Sequence, residues 1–179
     1  MKELYTIGHS TLSLSDFLGI LHSHGITHLV DVRSVPKSRH VPWFNQVGLE
    51  AYLKKENISY THLVKLGGFR KPNKNSINTG WKNSSFRGFA DYMLTKNFFE
   101  GLKALNQIVR KERVAVMCSE ALPWRCHRSL IADAEVIRNY QVWHILGKQS
   151  IKRHNLTSFA RVDRSKRPMQ IYYLTMKNN

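Results

Sequence analysis

The stretch RVAVMCSEALPWRCHRSLIAD, residues 113–133, decides the fold. Arg113 to Cys118 reads as a strand, because its unbroken apolar centre suits a sheet buried on both faces. His127 to Asn139 reads as a helix, with Leu130 and Ile131 turned to a core. Strand, loop and helix in that order are half of a parallel α/β unit. Both cysteines of the chain, Cys118 at the strand end and Cys126 before the helix, bracket the loop between them.

The same alternation extends outward. Leu4 to Ile7 is a strand closed by Gly8-His9-Ser10, and Ser13 or Ser15 caps a helix bearing Phe17, Leu18 and Leu21 that stops at Gly25. Thr27 to Val32 is a second strand, after which Pro36 keeps the chain extended or turning. A helix is expected near 46–55, a strand from Ile58 to Val64, a helix over 97–111 and a strand from Gln141 to Ile145. A last strand runs from Gln170 to Leu174. The expectation is an α/β fold, a single domain over 1–179 with a mostly parallel sheet flanked by helices. In such sheets ligands collect beyond the carboxyl ends of the strands. His9, Arg33, Cys118 and Glu120 all fall there.

The chain has 179 residues, 42% of them hydrophobic, which suffices for one core. No apolar run is long enough to cross a bilayer and the start is no signal peptide, so a cytoplasmic protein with reduced thiols is expected. Twenty-eight Lys and Arg against twelve Asp and Glu give a net charge of +16. That excess attracts phosphate polymers, although it also serves solubility. Residues 65–88, KLGGFRKPNKNSINTGWKNSSFRG, interrupt the alternation. There Arg70, Lys71, Lys74, Lys82 and Arg87 stand beside Phe69, Trp81 and Phe86. Such a mixture suits phosphate contacts and base stacking, or else a flap pinned to the core by its aromatics.

Cys118, at a strand end before a helix, occupies a nucleophile's position, where a helix terminus and arginines lower a thiol's pKa. The spacing to Arg125 is one residue longer than the phosphatase loop allows. Pro123 and Trp124 also replace the small residues of that loop, so phosphatase chemistry is disfavoured. A cysteine packed as a small hydrophobe is the alternative. Cys118 with Cys126-His127, completed by His9, is a metal reading, but the short ligand clips of structural zinc sites are absent and no metal ligand is assigned. Glu120, expected among Arg33, Arg125 and Arg128, is an ionised carboxylate that acts as a general base or orients an arginine. Asp31 and Arg33 lie two apart on a strand and share a face. Arg33, Arg39, Arg70 and Arg128 are forks suited to phosphate or carboxylate.

The segments YTIGHS, LVDVRSVPKSRHVPWFN, LGGFRKP, FADYM and VAVMCSEALPWRCHRSLIAD with VWHI resemble domain-of-unknown-function family 488 in order and spacing. The resemblance covers about Leu4 to Ile145, leaving a basic extension over 147–179. It implies a single α/β domain and a site drawn from Gly8, His9, Ser10, Asp31, Arg33, Pro36, Ser38, Gly67, Gly68, Cys118, Glu120, Cys126, His127 and Arg128.

The expected function is that of an enzyme directed at nucleic acid or a nucleotide. Its catalytic candidates are His9, Cys118 and Glu120. The anion- or substrate-binding candidates are Ser10, Asp31, Arg33, Ser38, Arg39, Gly67, Gly68, Arg70, Trp81, His127 and Arg128. A non-catalytic nucleic-acid-binding module, or a metal- or thiol-dependent protein, are the alternatives. No membrane partner is expected, and cofactor and oligomeric state are left open.

Overall fold

The structure, a computed structural model, describes residues 2–175. The chain order is β1 (Lys2–Gly8), α1 (Leu14–Ser23), β2 (His28–Asp31), α2 (Gln46–Lys55), β3 (Ser59–His62), α3 (Ser84–Tyr92) and α4 (Lys96–Val109). It continues with β4 (Val114–Cys118), α5 (Arg128–Val136), β5 (Tyr140–Gly147), β6 (Ser150–Arg153), β7 (Ala160–Asp163) and β8 (Gln170–Tyr173). Six strands form one sheet in the order β3-β2-β4-β1-β5-β6. The first five run parallel and β6 closes the edge antiparallel to β5.

Every residue of β4 is buried, as its apolar run requires. Its side chains alternate between two cores. Val114, Val116 and Cys118 join Leu4, Val142, Leu105 and Leu130 on one face, whereas Ala115 and Met117 join Ile7, Phe17, Leu21 and Leu53 on the other. Helices α4 and α5 therefore cover the first face, and α1 and α2 the second. Ser13 caps α1 by accepting from the Asp16 amide at 3.0 Å, a contact typically worth about 1 kcal/mol. The chain leaves α1 through Gly25, whose φ of 62° a glycine adopts without the strain a Cβ would add.

Three elements escape the sequence pattern: α3, β6 and β7. The stretch 65–88 is ordered by polar staples centred on buried Asp91, which accepts from the Asn73 amide, Ser76 Oγ and Asn78 Nδ2 at 2.6–2.8 Å. Trp81 stacks on Phe86 at 4.7 Å and meets Phe159 edge-on at 4.9 Å. It thus pins the flap to the first core and is not exposed for base stacking. The β7–β8 pair lays Ala160, Ile171 and Tyr173 against the same core. The expected extension continues over 176–179, outside the described residues.

Asp133 of α5 fastens this region. It is fully buried and accepts from Tyr173 Oη at 2.8 Å, Thr157 Oγ1 at 2.7 Å and the Thr157 amide at 2.9 Å, and it meets His154 Nε2 at 2.9 Å. Asp133→Ala would strand several buried donors, so urea denaturation is expected to report a loss of about 2–4 kcal/mol. The change should leave the parallel sheet's circular dichroism intact; a loss under about 0.5 kcal/mol would mean that water replaces the carboxylate without cost.

Candidate functional site

The order β2-β4-β1 sets three carboxyl ends side by side. Pairing continues past the strands and fixes their loops, with the His9 amide on Cys118 O at 3.0 Å, Ser10 on Ser119 O at 2.9 Å and Val32 on Met117 O at 2.9 Å. Gly8 permits the closest approach. A Cβ there would lie 1.9 Å from the Glu120 carbonyl oxygen, so no side chain fits. Arg128, 1% exposed, donates from Nη2 to the Glu120 carbonyl and from Nη1 to Thr6 Oγ1 at 3.5 Å. Its role is to shape the 118–121 loop from beneath.

Asp31 and Arg33 do share a face, and they use it on each other. Nε and Nη2 of Arg33 grip the Asp31 carboxylate at 2.6–3.1 Å, while Nη2 also reaches Phe44 O at 2.8 Å. Tyr60 Oη donates to Asp31 at 2.8 Å. The remaining Arg33 nitrogen, Nη1, lies 3.3 Å from His9 Nε2. His9 Nδ1 faces the Ser10 carbonyl at 2.9 Å. A carbonyl only accepts, so Nδ1 carries the proton and Nε2 accepts from Arg33. Burial is the largest effect and pushes His9 down to about 4; the hydrogen bond to Ser10 O opposes it, and the Arg33 charge adds to the lowering more than Asp31 offsets it. The ring, stacked on Phe44 at 4.2 Å, is a neutral buttress at physiological pH.

Above these groups opens a cleft of about 740 Å³. Of the expected residues, His9, Ser10, Arg33, Ser38, Gly68, Cys118, Glu120 and His127 line it. Asp31 and Arg128 lie beneath it, buried. Gly67 is spent on packing, since a Cβ there would meet Ser34 Oγ at 2.7 Å. Arg70 stacks on the Tyr92 ring at 3.7 Å and binds Gly67 O at 3.1 Å, and Arg39 is exposed off the lining. The arginine cage expected around Glu120 does not form. Its carboxylate accepts from the Leu122 amide at 3.2 Å, while Arg33 pairs with Asp31 and Arg128 binds the Glu120 backbone. Lys37 and Arg125 line the cleft with no side-chain partner among the described residues. Phe69, 81% exposed, completes the rim.

The floor holds both thiols. Cys126 Sγ lies 3.5 Å from His127 Nδ1, and His127 Nε2 meets Val32 O at 3.2 Å. That carbonyl fixes the proton on Nε2 and turns the Nδ1 lone pair toward sulfur. The donor atoms of Cys118, Cys126 and His127 all lie within 4.8 Å of one another. His9 is not among them, because both its nitrogens are engaged. The order of the two thiols reverses the expectation for Cys118. The neighbouring Cys126 sulfur, within 4.8 Å, together with burial pushes Cys118 up to about 12. The proximity of Cys118, aided by the charge and amide of Arg128, holds Cys126 down to about 6 despite burial.

In reduced, chelator-treated protein, iodoacetamide is therefore expected to label Cys126 before Cys118. Lowering the Cys126 pKa keeps its thiolate populated above about pH 6, so its rate should level off near neutrality while Cys118 stays slow. Peptide mass spectrometry across pH 5–10 reads the order; faster labelling of Cys118 at pH 7 would reverse the assignment.

No curated protein and no solved structure matches the chain. Residues 13–135 match the family described as a domain of unknown function, DUF488, within the region that the sequence motifs marked. Those residues include the second, third and fourth strands and the whole cysteine loop, and the chain belongs to this family.

Proposed function

We propose that the protein is an enzyme that acts on a nucleotide, free or within a nucleic acid, held in the cleft at the carboxyl edge of the sheet. The observation that carries this reading is the pair of unpartnered cations, Lys37 and Arg125, lining one cleft with Glu120. Arg33 is paired with Asp31 and Glu120 accepts from the Leu122 amide, whereas these two cations have no side-chain partner among the described residues and are available to an anionic ligand. The volume of about 740 Å³ falls within the range of small-ligand sites. Lys37 and Arg125 take phosphate oxygens, Phe69 offers a face to a base, and Glu120 moves a proton. Arg33 and His9 hold the cleft's wall in shape. The +16 charge raises the local concentration of any such ligand.

The second reading, a nucleic-acid-binding module without turnover, draws on the exposure of Phe69 and on the basic segment around Arg164 and Lys166. The two separate by titration. Removing a charged phosphate contact costs about 1.5–3 kcal/mol, so Lys37→Glu and Arg125→Glu are each expected to weaken mononucleotide binding roughly 10- to 100-fold. Reversal of Arg164 and Lys166 should lower only polymer affinity and its salt dependence. Polynucleotide binding without mononucleotide binding or product would favour the module. No binding of either at low salt, or binding indifferent to both cleft reversals, would defeat the proposal.

A further inference from the structure

The three donors on the cleft floor meet a demand that the enzyme reading does not make of them. We propose that Cys118, Cys126 and His127 bind a zinc ion, with a fourth coordination position open to the cleft. The inference rests on donor geometry and does not depend on which substrate the cleft takes.

The spacing fits. With sulfur at about 2.3 Å and nitrogen at about 2.0–2.1 Å from a tetrahedral zinc, a sulfur–nitrogen edge measures about 3.6 Å. Cys126 Sγ and His127 Nδ1 are 3.5 Å apart. The sulfur–sulfur edge of such a site is about 3.8 Å, and no two of the three donor atoms exceed 4.8 Å. Small side-chain rotations close that difference. The lone pair is also prepared. The bond between His127 Nε2 and Val32 O leaves Nδ1 as the unprotonated nitrogen, the arrangement that orients a metal-bound imidazole. Gly68 is required for that ring position, since a Cβ there would stand 2.4 Å from Nδ1.

The donor set selects the ion. Two sulfurs and an imidazole favour zinc over magnesium or calcium, which prefer oxygen. Three protein ligands leave one place free, as in catalytic rather than closed structural zinc sites. All three donors line the cleft, so that place faces the substrate space.

Protein purified in reductant without chelator is expected to carry about one zinc per chain, or to take it up on reconstitution. X-ray absorption at the zinc edge should report two sulfurs and one imidazole nitrogen in the unsubstituted protein, independently of any variant. Cobalt(II) should give sulfur-to-cobalt charge transfer and the intense visible bands of a tetrahedral ion. Cys118→Ser, Cys126→Ser and His127→Gln, each checked for its fold by circular dichroism, should lose stoichiometric uptake. His22→Ala, which removes an exposed histidine elsewhere, should keep it. Folded, reduced protein that takes up no zinc would overturn the proposal, as would zinc whose coordination lacks sulfur. Ready oxidation to a Cys118–Cys126 disulfide in place of uptake would do so in favour of a redox pair. Metal content is read without nucleotide, so failure here leaves the nucleotide reading standing, and the converse holds.

Discussion

A guanidinium buried to 1% exposure is costly to hold in a protein, and Arg128 is held that way directly under the cleft. Its donors do not go to a carboxylate. Nη2 goes to the Glu120 and Ala121 carbonyls and Nη1 to Thr6 Oγ1, while Nε has no partner among the described residues, so the charge is spent on holding the end of β4 against the end of β1. Gly8 completes the constraint, because any side chain there would collide with the same carbonyl. The positions of Glu120, of Ser10 and of both thiols follow from that one closed corner. From Thr6 the contacts run on to His144, His154 and Asp133 at 2.7–2.9 Å, so the corner is tied to the far side of α5. Burial, aided by neighbouring positive charge, holds His144 down to about 3, so its own ring stays neutral.

The parallel core was legible because its signal is local: an apolar run such as Val114 to Met117 suits few other structures. What escaped is what tertiary context supplies. Strand β6 is four exposed residues, Ser150 to Arg153, which become a strand only by pairing with β5. Helix α3 carries Gly88 where a side chain would strike the Arg70 carbonyl, and its start depends on the Asn83 cap. Basic and aromatic residues misled for the same reason. Arg70 and Trp81 look like ligands in a sequence, yet each is consumed by an aromatic neighbour that the sequence does not announce.

The site was legible by strand ends and obscure in its detail. Counting residues from Cys118 to Cys126 argues against a metal clip, but the turn at Pro123–Arg125 folds the interval back and brings the two sulfurs together. Likewise a carboxylate flanked by arginines in sequence takes none of their guanidinium groups as a partner in space. Arg33 had a better partner in Asp31, and the lining Lys and Arg side chains without a partner among the described residues turned out to be Lys37 and Arg125. Selecting among positive residues required knowing which were already neutralised.

The walls of the cleft come from four widely separated stretches, residues 9–11, 33–41, 68–69 and 118–127, with Ser85 and Phe86 added from α3. None of these contacts exists until the sheet has closed, so an unfolded chain retains nothing of the cavity. Whatever occupies the cleft then binds the native state alone, and occupancy at a hundredfold excess over Kd adds about 2.7 kcal/mol to the free energy of unfolding. On the proposed reading, the abundance of that ligand in its surroundings becomes a determinant of how long this chain survives folded.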